Sequence, residues 1–188
     1  MTDSSANLAD ILRAAHPLAR ALIARLPSGA RVLEIGHGSG RNHRALEAAG
    51  LEVLHFGAAT AAAREAAGAL STHALLHGTP VEIAALLAQI AGGLADAAPF
   101  FATFGSRRDA RFGAGSPLGP TTFAPATGDE RGVAHTYYDE ATLRSAVQEH
   151  FAIEDLREVE VDAIAGGWAH VRAPLRGAVH WFLTAHRR

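Results

Sequence analysis

"RVLEIGHGSGRNHRALEAAGLEVLHFGAAT", residues 31–60, opens on a short apolar run at 31–35 that reads as a buried strand. Gly36, Gly38 and Gly40 follow it in a G-x-G-x-G pattern. Helical spacing then runs from about Asn42 to Ala49, and Gly50 is a good stop for that helix. Leu51 to Phe56 is a second strand. Glycines let a backbone approach a ligand closely, and the first turn of a helix offers unsatisfied N–H groups. Strand, glycine loop, helix and strand in this order form a cofactor loop, in which the ligand side is the carboxyl end of the strands. The dinucleotide fingerprint would need a glycine where Arg41 stands. A nicotinamide-dependent oxidoreductase is therefore the least supported of the readings.

Outward from this stretch the alternation continues. Upstream, Leu8, Ile11, Leu12, Leu18, Leu22, Ile23 and Leu26 have helical spacing over 7–26, with a break or kink at Pro17. Downstream, an alanine-rich helix is expected at 58–67, and then a strand ending near His73. Pro80 sits in the first turn of a helix reaching about Ala95, and Phe100 to Phe104 is a buried strand. Residues 105–135, rich in Gly, Pro, Ser and Thr, read as one long loop of the kind that is usually functional. Asp139 caps a helix through His150, and strands near Ile153–Val161 and Ala178–Ala185 close the chain. The alternation predicts a single α/β domain over 1–188, with a mostly parallel sheet and helices on both faces. Within it, 1–29 is an N-terminal helical segment, 30–104 a cofactor half and 105–188 a substrate half.

Composition narrows the function classes. With 48% apolar and 19% charged residues the chain is globular. A formal net charge of −2 excludes the broad basic footprint of a nucleic-acid binder. The absence of cysteine excludes disulfides, thiolate metal sites and a cysteine nucleophile. All 17 basic residues are arginine, so there is no Schiff-base lysine and no phosphate loop ending in Gly-Lys. "MTDSSANLAD" lacks the basic start and apolar run of a signal peptide, and no stretch reads as a membrane span. The expectation is a soluble, cytoplasmic protein with a small-molecule substrate and neither nucleic acid nor membrane as partner.

With "VLEIGHGSGRN" the chain resembles the class I S-adenosylmethionine-dependent methyltransferases of small-molecule type. Further likeness lies in "ALSTHALLHGTP", "FFATFGSRRDARFG", "GVAHTYYDEATLR" and "GAVHWFLTAHR", so that it extends from about Pro17 onward. The resemblance implies a Rossmann-like fold and S-adenosylmethionine as cofactor. It implies a cofactor set of Glu34, at the family's acidic position, with Gly36, His37, Gly38, Gly40, Asn42, Gly57 and Ser71. Gly57 is a departure: it aligns where the family carries the acidic residue that accepts from the ribose hydroxyls. The charge-assisted bonds lost there are worth about 1.5–3 kcal/mol each. A second departure is a missing βα unit, of roughly 30 residues, the third strand of the family and an adenine wall. Its loss would expose the second strand as a sheet edge, which a homodimer could pair. These departures leave a second reading open: a degenerate methyltransferase-fold protein that serves as a binding or partner subunit, or runs another reaction on the scaffold.

On the acceptor side, His73 and His135 are candidate general bases, and either is equally read as a histidine bonded to backbone. His77, Arg108, Arg111 and Tyr138 are candidates for holding substrate. Arg107, Arg108 and Arg111 could bind a carboxylate or phosphate, or form a solvated loop with a salt bridge to Asp109. His73-x-x-x-His77 has the spacing of a helical zinc site, but no glutamate follows His73 and Gly78-Thr79-Pro80 delays the helix. No metal is expected. Trp168 and Trp181 are expected in the core or in pocket walls, and His170 and His180 in structural roles.

Overall fold

The computed structural model describes residues 10–36, 38–56, 65–161 and 177–188. His37, Gly57, Trp168 and His170 lie outside them, as does the helix expected at 58–67 up to residue 64. Residues 65–67 are non-helical and carry an isolated bridge from Ala66 to Leu94.

Four parallel strands form the centre of the sheet: β1 (Arg31–Ile35), β2 (Glu52–His55), β3 (Gly68–Ser71) and β4 (Pro99–Ser106), in the order β2-β1-β3-β4. Two antiparallel strands extend it, β9 (Val179–Arg187) beside β4 and β8 (Phe151–Glu160) beside β9. Among the described residues β2 is the last strand on its side, which agrees with the loss of a unit beyond it.

Helices cover both faces. On one side α2 (Pro17–Ile23) and α3 (Arg41–Ala48) bury Leu18, Leu22, Ala45 and Leu46 against Val32, Leu70, Phe101 and Phe182. On the other, α4 (Pro80–Gly93) and α5 (Glu140–Gln148) bury Ile83, Leu87, Ile90, Leu143 and Val147 against Leu33, Ile35, Phe100 and Phe104. Alternate residues of each strand point to opposite faces, so Val32 and Leu33 serve different cores. Among the described residues no helix is long and apolar enough to cross a membrane.

Local signals explain the boundaries. The N-terminal apolar spacing divides at Pro17 into α1, at residues 10–14, and α2. His16 caps α2, its Nδ1 accepting from the Leu18 N–H at 3.1 Å, with Pro17 at the first helical position. Thr79 and Glu82 form a reciprocal capping box at the start of α4. Asp139 accepts from the Thr142 N–H and starts α5 as expected.

The stretch 105–135 is not one structureless loop. β4 runs on to Ser106, and short strands β5 (Ser116–Pro117) and β6 (Thr122–Ala124) fold back on β7 (His135–Tyr138). β7 pairs parallel to β4 at Gly105 and Ser106. β9 already occupies one edge of β4 there, so β7 takes the edge that β3 leaves after Ser71. A Cβ on Gly105 would lie 2.7 Å from the Thr136 carbonyl oxygen, so this pairing needs glycine. The strand expected to end near His73 stops at Ser71. His73 has φ 71, and a 3-10 turn at Ala74–Leu76 follows.

Candidate active site

The carboxyl ends of β1 and β2 carry the glycine loop. Gly36, Gly38 and Gly40 have φ of 72, 48 and 73, a left-handed region open to glycine at little cost. A Cβ on Gly36 would lie 2.5 Å from Ala74 Cβ, so the loop packs directly on the turn after β3. At Gly38 a Cβ would meet nothing within 4 Å among the described residues. A cleft of about 490 Å³ opens here, lined by Glu34, Gly36, Gly38, His55 and Phe56.

Glu34 is buried, and its Oε2 lies 3.2 Å from His43 Nδ1 on α3. A carboxylate only accepts, so the His43 Nδ1–H is the donor. The His43 ring stacks on His55 with centroids 4.9 Å apart, and Glu34 and His55 are register partners on β1 and β2. His55 thus stands at the end of β2, two residues before Gly57. It is a site residue missed in the sequence, since a histidine ending a strand carries no local signal.

Asn42, expected to touch cofactor, is buried with both amide ends engaged inside the protein. Its Oδ1 accepts from the His16 N–H at 2.9 Å and its Nδ2 donates to Thr72 Oγ1 at 2.8 Å. It ties α2, α3 and the exit of β3 together around the loop. Ser71, the register partner of Ile35, is fully buried, and its hydroxyl finds no hydrogen-bond partner among the described residues. Leaving such a group unpaired costs about 1–3 kcal/mol, which a ligand or water at this corner would offset.

Beyond the loop three imidazoles form a row. The rings of His16 and His73 are 5.7 Å apart, and those of His73 and His180 are 5.2 Å apart. The His73 N–H donates to Thr103 Oγ1 at 2.8 Å, which anchors its left-handed backbone on β4. Burial first, then Arg41, His180 and Arg20, pull His16 down to about 3, so it is neutral at physiological pH. His16 and His180 were not singled out as site residues; the fold brings them to His73 from α2 and β9.

The arginines expected to hold substrate are engaged by carboxylates. Arg111 binds Asp109 through Nε and Nη2 at 2.7 and 2.6 Å, and its Nη2 lies 3.2 Å from His180 Nε2. Burial opposes the charge on Asp109, but the bonds from Arg111 win and hold its carboxyl below the usual range. Arg108 pairs with Glu158 on β8 at 2.9 Å, and Arg107 with Asp139 at 2.9 Å. Tyr138 is buried against Phe104; burial lifts its hydroxyl to about 12, and that hydroxyl has no partner among the described residues.

His77 and His135 meet, although 58 positions separate His77 from His135 in the chain. Their rings are 4.7 Å apart, and both approach Glu130: His77 Nε2 at 3.4 Å, His135 Nε2 at 3.1 Å. Hydrogen bonding from His135, then from His77, holds the Glu130 carboxyl well below its ordinary range, and Glu130 in turn raises His135. His73 does not join this group. Its backbone turns left-handed and its ring faces His16 and His180 instead. Glu130 was missed, because nothing in its own neighbourhood of sequence marks it.

No protein-family model and no curated protein matches the chain, whereas solved structures share its fold. It is similar to the Burkholderia thailandensis 1,6-didemethyltoxoflavin-N1-methyltransferase, solved with 1,6-didemethyltoxoflavin and S-adenosylhomocysteine. There the TM-score is 0.63 and the identity 19%, over 94% of this chain and 78% of that one. The magnesium protoporphyrin IX methyltransferase of Synechocystis, solved with S-adenosylmethionine, gives 0.57 and 16% over 91% and 76%. The [4+2]-cyclase SpnF gives 0.56 and 14% over 90% and 79%. The chain has the Rossmann-like methyltransferase fold.

Proposed function

We propose that this protein transfers a methyl group from S-adenosylmethionine to a small-molecule acceptor. The observation that carries the reading is the left-handed glycine loop after β1, opening on a cleft at the carboxyl ends of the strands, within this fold. The residues fit the cofactor at its methionine end. Gly38 leaves the approach open, the backbone amides after β1 are the donors, and Glu34 and the unpaired Ser71 hydroxyl stand beside them. At the ribose end the fit rests on His55, an imidazole that lines the cleft two residues before the position of the absent carboxylate. When bound, the cofactor supplies an electrophilic methyl group on sulfur.

The chain's own part is to position an acceptor in line with that group and to take its proton where one must leave. His73 is the base in this reading. It follows β3 next to Ala74, on which the glycine loop packs, and its neighbour His16 stays neutral and adds no competing charge. His135 is held at both nitrogens, by Glu130 and by the Val133 carbonyl, and so orients the acceptor rather than moving its proton.

A second reading keeps the fold without the cofactor. Glu34 is already engaged by His43, and His55 stacks on that same ring, which fills hydrogen-bonding capacity a cofactor would use. The likeness to a [4+2]-cyclase shows that this fold also carries other chemistry. Calorimetry with S-adenosylhomocysteine separates the two. Micromolar binding is the expected result, and no detectable heat at millimolar ligand sinks the methyl-transfer reading. Gly57→Asp then tightens binding roughly 10-fold or more if the ribose lies at the end of β2.

A further inference from the structure

We propose that His77, Glu130 and His135 form a binding site for a divalent transition-metal ion of the zinc class. The three side chains come from the turn after β3, the segment before β7, and β7 itself. Their ligand atoms all lie within 4.8 Å of one another. Two imidazoles and one carboxylate match the donor set of zinc sites with three protein ligands and an open position. A shell with imidazole in the majority favours zinc, nickel or iron over magnesium or calcium, which take oxygen.

The spacing is close to what such an ion needs. Bonds of about 2.1 Å in tetrahedral arrangement set ligand atoms about 3.4 Å apart. Glu130 offers one oxygen to each ring near this spacing, Oε2 at 3.1 Å from His135 Nε2 and Oε1 at 3.4 Å from His77 Nε2. The three ligand atoms, all within 4.8 Å of one another, have to draw in by about 1 Å or less to close around the ion.

A second, independent feature is the support behind the ligands. His135 Nδ1 lies 2.9 Å from the Val133 carbonyl, which can only accept. That bond keeps a proton on Nδ1, so an ion that displaces the Nε2 proton now shared with Glu130 meets the ring in the orientation that metal-binding histidines adopt. The backbone of both histidines is fixed as well. They form an isolated antiparallel bridge, the Gly78 N–H donates to the Ala134 carbonyl at 2.7 Å, and Thr136 Oγ1 donates to the Gly78 carbonyl at 2.7 Å. His77 and Glu130 are partly exposed, which leaves the ion an open side. Arg111, whose charge acts on His135, is itself held by Asp109.

The other histidine–carboxylate group, Glu34 with His43 and His55, is a weaker ligand set. Both nitrogens of His43 face carboxylates, Glu34 at 3.2 Å and Glu47 at 3.4 Å, so this ring bridges two acids. The open position at His77 and Glu130 would take an oxygen of the acceptor; that role rests on the transferase reading above, whereas binding of the ion does not.

The test is titration calorimetry of the metal-stripped full chain with zinc chloride, for the native protein and for Glu130→Gln, His77→Ala and His43→Ala. Circular dichroism checks that each variant folds. Binding of one ion per chain is expected, with Glu130→Gln and His77→Ala each weakening it roughly 100-fold or more and His43→Ala leaving it unchanged. Native affinity no tighter than millimolar overturns the proposal. So does an affinity that either Glu130→Gln or His77→Ala leaves intact, or that His43→Ala abolishes. Zinc binding by a protein that ignores S-adenosylhomocysteine would leave this site standing and remove only the methyl-transfer reading.

Discussion

The glycine loop follows β1 and the His77–Glu130–His135 group includes the turn after the parallel strand β3, but the two are built in opposite ways. The loop is contiguous: Gly36 to Gly40 follow one strand, and what they offer a ligand is backbone. The histidine group is assembled from positions 77, 130 and 135, and what it offers is side chains. A backbone cradle needs only small residues in the correct local conformation, so it stands out in a linear sequence. A side-chain cluster needs separate segments held in register, so it depends on β7 pairing beside β4 and on the fastening of the surrounding loops.

The hardest way to break the side-chain half is to remove its fastening. Asp109 is buried, grips Arg111, and accepts the Val179 N–H at 2.9 Å, so it ties the exit of β4 to the start of β9. Asp109→Ala leaves a guanidinium without its partner and an unmet N–H. We expect a loss of about 3–5 kcal/mol in urea unfolding. A loss under about 1 kcal/mol would show that this half is held elsewhere.

In the backbone half, Gly36→Ala and Gly38→Ala sharpen the contrast. Both force a side chain into left-handed backbone, but only at Gly36 does the new Cβ strike Ala74. Gly36→Ala should lose about 2–4 kcal/mol and Gly38→Ala about 1–2. Gly38→Ala should cost more in S-adenosylhomocysteine affinity than in stability, because among the described residues its methyl strikes nothing. Equal losses of stability in the two variants would contradict the packing of the loop on the turn after β3.

The smallest effect is a slope with pH, and it reports on the row of imidazoles between the two halves. The proton affinity of His16 is depressed in the folded protein, from 6.5 to about 3. Its contribution is therefore complete above pH 6.5, where folded and unfolded forms are both neutral. It declines as pH falls toward 3, because the unfolded chain takes up a proton that the folded one refuses. Between pH 6.5 and 5 this amounts to about 2 kcal/mol at 1.36 kcal/mol per unit. Glu130, held low by its histidines, adds a loss only below its ordinary range, and the raised His135 works in the opposite sense as pH rises. His16→Asn keeps an oxygen to cap α2 and should flatten the slope between pH 5 and 6.5. A slope that persists in this variant would assign it to other groups.

Much of the fold was legible. Strands β1 and β4 are near-continuous apolar runs, Pro80 and Asp139 mark helix starts, and Gly50 marks a stop. β7 was not, because "HTYY" lies at the end of a stretch whose glycines and prolines read as loop, and its partner strand is remote in sequence. Of the expected cofactor residues, Glu34, Gly36 and Gly38 line the cleft, whereas Asn42 is spent on holding elements together. Of the acceptor-side residues, His77 and His135 come together, His73 joins a different cluster, and Arg108 and Arg111 meet carboxylates.

Alternation of strand and helix and the glycine loop follow from the order of amino acids alone, because each depends on backbone preference and periodicity over a few neighbouring residues. Which histidine faces which came from packing. Imidazoles carry no periodic signature, and their partners are chosen by strand register across long separations in the chain.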